Sequence, residues 1–166
     1  MPEKPWALTG RRGRKPQLLK SLYLGPGEQE EHNLVMKRKY DTIQQNEVMF
    51  EAKGLDDAEI MIVAFGTPSH IAKTAIHEAK KEGIRAGLLR PITLFPFPYD
   101  AVARYSEKVK NVLVVEMNTG QMLFDVKIAA HSSAKISFLG RPGGGIPYPD
   151  EIVREMKKAL KGVTAA

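Results

Sequence analysis

The sequence predicts an α/β fold, a doubly wound parallel sheet with helices on both faces. Three observations carry that expectation. Between Asp57 and the C-terminus, short and nearly continuous apolar runs recur, each too short for a helix and typical of strands buried on both faces. Each run is followed by a stretch whose apolar residues fall at helical spacing. Gly or Pro punctuates most of the junctions. Such alternation implies parallel strands joined by right-handed crossovers, and a chain of 166 residues fits one main domain with a real core plus peripheral structure.

The elements follow in order. Residues 1–27 carry Pro2, Pro5, Gly10, Gly13 and Pro16 and close on LYLGPG, so extended or irregular chain is expected there. From Glu28 to about Ala52 neither Pro nor Gly occurs, and Met36, Tyr40, Ile43 and Phe50 recur at spacings of four, three and seven. The spacing predicts one long amphipathic helix, with Glu28, Glu30 and Glu31 favouring its positive end and Lys53-Gly54 as its stop. Such a helix packs on another chain, on a preceding domain or on the α/β body, and the sequence leaves these open.

IMIVAF (60–65) is the first strand of the body. Thr67-Pro68 then reads as N-cap and first helical residue of a helix whose stripe is Ala72, Ala75, Ile76 and Ala79, ended by Gly83. IRAGLLRP (84–91) is the second strand. The loop ITLFPFP leads from it to a helix from about Tyr99 to Lys108. NVLVVE (111–116) is the third strand, with a helix near Met122–His131 after it. KISFLG (135–140) is the fourth, and a helix from Pro149 to about Lys161 follows.

Composition limits the chemistry. An apolar fraction of 43% and a charged fraction of 27% are those of an ordinary globular protein. No run approaches the roughly 20 apolar residues of a spanning helix, and the first residues lack a signal peptide's apolar stretch, so a cytoplasmic location and no membrane partner are expected. The sequence contains no cysteine, which excludes disulfides, thiolate nucleophiles and cysteine-ligated metal within it. A net charge of +6 suits an acidic partner, but only Arg11, Arg12, Arg14 and Lys15 form a dense cluster. That cluster reads as a solvated or subunit-contacting loop, with a phosphate-binding arm as the alternative. A basic module for nucleic acid or another anion is thus the competing functional class, although aromatics for base stacking are not interleaved with the charges.

In this architecture a site lies beyond the carboxyl ends of the strands. The loop GRPGGGIPYPDE there holds Gly143, Gly144 and Gly145 before a helix start, the setting in which backbone amides cradle phosphate. Against that reading, Asp150 and Glu151 already occupy the first turn, and the pattern is neither a Walker A sequence nor a dinucleotide fingerprint. Arg90 and Arg141 each end a strand and precede a proline, which suits either holding an anion or subunit edge or bonding loop carbonyls. Glu116 is a candidate general acid or base, or simply marks a strand exit. His32, His70, His77 and His131 show no metal spacing, and Ser69, Ser132 and Ser133 lack a nucleophile elbow.

The segments AEIMIVAFGTPSHIAKTAIHEAKKEGIRAGLLRPITLFPFP, NVLVVEMNTGQM and FLGRPGGGIPYPDEI together resemble the C-terminal part of the α subunit of 2-oxoacid:ferredoxin oxidoreductases. With KPWALTGRRGRK and the long helical stretch, the resemblance extends over essentially the whole chain and is nearest to the branched-chain, 2-oxoisovalerate type. The body is also similar to the C-terminal domain of transketolases and of pyruvate dehydrogenase β subunits. The resemblance implies a mostly parallel sheet of about five strands, one antiparallel at an edge. It divides the chain into residues 1–53, a linker segment and helix, and residues 54–166, a transketolase C-terminal-like domain.

What the resemblance implies functionally is oxidative decarboxylation of a 2-oxoacid to an acyl-CoA by a complete complex. That complex uses thiamine diphosphate with Mg, iron–sulfur clusters, CoA as co-substrate and ferredoxin as electron acceptor. The implied partners are the thiamine-diphosphate-binding, gamma and ferredoxin-like subunits, with further homo-oligomer contacts. The chain has no GDG motif with its following asparagine and no cysteine, so none of these cofactors is expected on this chain alone. Its expected task is subunit assembly and bordering of the active site, with Arg90, Glu116, Arg141, Gly143, Gly144 and Gly145 as contact residues for substrate, CoA or neighbouring subunits. One departure stands out: Tyr148 occupies the place where the family has a capping threonine, and a tyrosine hydroxyl cannot make the same short bond to the N3 amide.

Overall fold

The computed structural model describes residues 20–162 continuously and, before them, Lys4, Trp6, Ala7, Gly10, Gly13, Lys15, Pro16 and Leu18. Arg11, Arg12 and Arg14 of the basic cluster lie outside the described residues. The chain divides into two compact units, Met1–Asp41 and Thr42–Ala166.

In the first unit no described residue before Glu28 lies in a helix or strand. Tyr23 stacks on His32 with ring centroids 4.6 Å apart, and its hydroxyl lies 3.1 Å from His32 Nδ1. Helix α1 (Glu28–Asn46) carries Glu28, Glu30 and Glu31 in its first turn, as its electrostatics require, and none of its residues is buried. Leu34, Val35 and Tyr40 are exposed.

The helix stops six residues before the expected Ala52, and Phe50–Lys53 forms a strand, β1. Pairing overrides the helical spacing here. β1 runs antiparallel to β3 (Ala86–Pro91), with Phe50 opposite Pro91 and Glu51 opposite Arg90. The alternation Phe50, Glu51, Ala52, Lys53 is itself the strand signal, too short to stand out beside the longer helical pattern.

The remaining strands are parallel: β2 (Ile60–Ala64), β4 (Asn111–Glu116) and β5 (Lys135–Gly140), giving a five-stranded sheet in the order β1-β3-β2-β4-β5. β2 and β4 sit at its centre. Their side chains alternate between two cores. Met61, Val63, Val112 and Val114 pack with α3 (Tyr99–Val109) and α4 (Gln121–Ala129). Ile60, Ile62, Leu113 and Val115 pack with α2 (Gly66–Lys81) and α5 (Pro149–Leu160). Helices on both faces of a mostly parallel sheet make the doubly wound architecture that the alternation predicts, including the antiparallel edge implied by the resemblance.

The start of α2 differs in detail from expectation, whereas that of α5 falls at Pro149 as expected. α2 begins at Gly66, with Phe65 as N-cap and no side-chain cap, because Gly66 turns the chain at φ +55° one residue before Thr67. Ser69 donates to the Gly66 carbonyl at 2.7 Å inside that turn. At α5 the tyrosine hydroxyl is replaced by backbone contacts. The Glu151 amide donates to the Tyr148 carbonyl at 3.1 Å, and Glu151 Oε2 accepts the Tyr148 amide at 3.0 Å. The reciprocal half of a capping box therefore survives without a capping hydroxyl.

Ile62 is fully buried on the central strand. Ile62→Ala should cost about 2–5 kcal/mol through lost burial and the cavity it leaves, read as a lower urea midpoint at unchanged slope.

Candidate functional site

The parallel strands end on one rim of the sheet, at Ala64, Pro91, Glu116 and Gly140. The two central strands lead in opposite directions from there. From β2 the chain goes to β3 on one side, and from β4 to β5 on the other, so the crevice between their ends is the topological switch point.

Glu116 ends β4 on the β5 side of that crevice and is fully buried. Its Oε2 accepts the Met122 amide at 2.9 Å and Asn118 Nδ2 at 2.9 Å, while Oε1 accepts the Leu123 amide at 2.9 Å. Asn118 Oδ1 in turn accepts the amides of Gly120 at 2.7 Å and Gln121 at 3.1 Å. The carboxylate thus satisfies the otherwise orphaned first amides of α4, where negative charge is also favoured by the helix dipole. In this geometry Glu116 positions a helix; both of its oxygens face inward.

The Glu116 carbonyl accepts the Arg141 amide at 3.0 Å, which draws the glycine loop to the end of β4. Arg141 forms an ion pair through Nη2 with Glu151 of α5, closing the loop back onto the helix that follows it. Within the loop Gly143 and Gly144 take φ +68° and +85°, and a Cβ on either would meet no other heavy atom within 4 Å. Glycine is required there by backbone conformation, since nothing in this chain crowds it. Glu116, Arg141 and Gly143–Gly145 therefore form one neighbourhood.

Arg90 does not join it. It lies on β3, on the far side of β2, where its Nη1 pairs with Glu51 Oε2 at 3.3 Å across the antiparallel edge. Lys53 at 2.6 Å and Lys73 at 3.4 Å complete a cluster of cations around Glu51. The hydrogen bond from Lys53, reinforced by Arg90 and Lys73 against partial desolvation, holds the Glu51 carboxyl at about 2. Both rim arginines are engaged with carboxylates, and among the described residues the buried Nε of each has no hydrogen-bond partner.

The sequence reading missed a second feature, a cleft of about 730 Å³ lined by the end of α1 (Gln44, Gln45), Val48, β1, the ITLFPFP loop, α3 and Asp125 of α4. Phe97 is buried and packs edge-on to Tyr99, centroids 5.1 Å apart, and Tyr99 donates to Asp125 Oδ1 at 2.6 Å. That bond to Asp125, with some desolvation, raises the Tyr99 hydroxyl above its ordinary value. Only the run of Phe and Pro in ITLFPFP signals this cleft, because Tyr99 and Asp125 meet across 26 residues.

Residues 58–163 match the family described as pyruvate:ferredoxin oxidoreductase core domain II. The chain belongs to that family. The chain is 38% identical over 157 residues to ketoisovalerate oxidoreductase subunit VorB of Methanothermobacter marburgensis, covering 95% of the chain and 44% of the relative. It is 37% identical over 130 residues to 2-oxoglutarate synthase subunit KorA of the same organism, covering 76% and 35%. The chain thus spans under half the length of these relatives. In fold it is similar to a 2-oxoglutarate:ferredoxin oxidoreductase from Magnetococcus marinus, solved with 2-oxoglutarate, coenzyme A and succinyl-CoA bound, at a TM-score of 0.66 and 20% identity over 79% of this chain and 23% of that one. It is also similar to a split-gene transketolase, described as an inactive β4 tetramer, at a TM-score of 0.56 and 17% identity over 67% and 41%. The transketolase likeness expected of core domain II is therefore present in its fold. No helix among the described residues is long and apolar enough to cross a membrane.

Glu116→Ala should destabilise core domain II by about 3 kcal/mol, because buried amides at the start of α4 lose a charged acceptor, and Glu116→Gln should cost less because one oxygen remains; urea denaturation compares the two. Glu51 gives a pH signature. Its folded value of about 2 lies below the ordinary 4.5, so the unfolded chain takes up the proton first on acidification. The stability it contributes is complete above about pH 4.5 and disappears as pH falls toward 2. Urea midpoints of wild type and Glu51→Gln should accordingly converge between about pH 6 and about pH 2.5.

Proposed function

We propose that this core domain II serves as the assembly and active-site-bordering part of the α subunit of a branched-chain, 2-oxoisovalerate ferredoxin oxidoreductase. The observation that carries this reading is the 38% identity to a ketoisovalerate oxidoreductase subunit across 95% of the chain. The complete complex converts a 2-oxoacid to an acyl-CoA, with thiamine diphosphate, CoA and ferredoxin as cofactor, co-substrate and electron acceptor. Its further subunits bind the thiamine diphosphate, carry the iron–sulfur clusters and complete the assembly in the cytoplasm, with homo-oligomer contacts between copies.

The rim does not fit a thiamine diphosphate and magnesium site of its own. Of the residues that end the parallel strands, Glu116 alone is a carboxylate, and α4 and Asn118 engage both of its oxygens; Glu51, across the antiparallel edge, is taken up by Arg90, Lys53 and Lys73. No cluster of three acidic or histidine side chains that could hold an ion occurs among the described residues. Without cysteine the chain also has no thiolate for an iron–sulfur cluster. Its residues act by presenting surface. Arg141, tied to Glu151, fixes the base of the glycine loop, and Gly143, Gly144 and Gly145 offer bare backbone to a neighbouring subunit or to CoA. Arg90 offers a second charged edge beyond β2, and Glu116 contributes indirectly, by seating α4.

The test is reconstitution of the chain with an upstream domain and the partner subunits of the complex. Reduction of a viologen dye that depends on both 2-oxoisovalerate and CoA, and is absent without this chain, is the expected result. Equal activity without the chain, or none with any branched 2-oxoacid while 2-oxoglutarate is turned over, overturns the reading.

A further inference from the structure

The ITLFPFP cleft is built to be covered. Its floor is the buried Phe97, and its walls expose Phe50 at 42%, Leu94 at 46% and Tyr99 at 40%. Isolated apolar side chains on a surface need no explanation, but several converging on one concavity mark a binding face. The same face continues onto α4. Phe124 and Ile128, one turn apart, are 65% and 75% exposed, while Met122, Leu123 and Val126 of the same helix are buried. A helix apolar on its outer as well as its inner side is one that something else covers. Asp125 joins the two parts, through its hydrogen bond from Tyr99 in the cleft.

The wall is also held in shape. Met49 donates its amide to Thr93 Oγ1 at 3.0 Å and accepts the amides of Ile92 at 3.0 Å and Thr93 at 3.2 Å, and Thr93 Oγ1 donates to the Pro96 carbonyl at 2.8 Å. These bonds fasten the loop to the chain just before β1. A preformed wall loses little conformational entropy when it is occupied.

Charge selects the occupant. Among the described residues lining the cleft none is Lys, Arg or His, and its two charged residues are Asp100 and Asp125, in a chain of net charge +6; on the outer face of α4 the one cation, Lys127, lies over the Phe124 ring at 5.8 Å and not in the cleft. A symmetric pairing of two copies about this cleft would set Asp100 and Asp125 of one against the same residues of the other. A bilayer with anionic headgroups would meet the same repulsion.

We propose that this cleft and the outer face of α4 together receive a segment of a partner subunit that is apolar and carries a Lys or Arg opposite Asp100 and Asp125. The proposal rests on the assembly role above and identifies which face performs it. Apolar side chains of the segment fill the space between Phe50, Leu94 and Phe124, and its cation meets the two carboxylates at the edge.

Photo-crosslinking in the reconstituted complex tests it, with a benzoylphenylalanine placed at Leu94 and, in a separate sample, at Tyr148 beside the glycine loop. The expected result is a crosslink from Leu94 to a partner-subunit peptide that is apolar and contains Lys or Arg. Leu94→Asp should weaken association about thirtyfold, the scale of a central anchor residue. Asp100→Lys should weaken it less and remove most of its salt dependence, whereas Lys81→Glu on α2 should leave it unchanged. Leu94 is half exposed and Asp100 exposed, so thermal melts should show these variants folded. A crosslink from Leu94 to a second copy of this chain, or silence at Leu94 beside a crosslink at Tyr148, overturns the cleft and leaves the assembly role standing. Failure of the wild-type chain to enter any complex overturns both.

Discussion

Everything in the Thr42–Ala166 unit depends on the parallel pairing of β2 with β4. The apolar side chains of these two strands are withdrawn from water on both faces along their length, and each face feeds a separate core. The ladder satisfies the backbone groups that such burial would otherwise leave without partners. Because successive side chains point to opposite faces, a slip of one residue would exchange the two cores completely. The helices then have no freedom in which face they cover: α3 and α4 go to one side, α2 and α5 to the other.

At the strand ends, the same economy governs charge. Glu116 is surrounded by amides, Arg141 pairs with Glu151, and Arg90 pairs with Glu51, so the charged groups along the strand ends are mostly committed to holding the fold. A rim of this kind has little polar capacity left for reaction chemistry. Its exposed features are of another sort: glycine backbone on the β5 side, and aromatic and aliphatic side chains around ITLFPFP. That division of labour is what the proposed assembly role requires of this unit.

Much of the fold was legible before any coordinates. The runs 111–116 and 135–140 are strands to the residue, because a β-branched or apolar core flanked by Asn, Glu, Lys and Gly has one reading. The start of α5 was legible from Pro149 for the same kind of local reason. What escaped was non-local. Phe50–Lys53 carries a strand's alternation over only four residues and becomes a strand because β3 lies alongside it. The pairing of Glu51 with Arg90 follows from that register and from nothing in their spacing of 39 residues. Likewise Arg90 and Arg141 look equivalent in sequence, each before a proline, yet the strand order sets them on opposite sides of the crevice.

Glu116 has one further property, since it engages two different segments at once. Its side chain grips the first turn of α4, and its carbonyl receives Arg141 at the base of the glycine loop. One residue is therefore a rigid joint between the connection leaving β4 and the one leaving β5. Across the crevice the start of α2 is fastened differently: Gly66 opens it without a side-chain cap, and Ser69 closes the turn onto the Gly66 carbonyl.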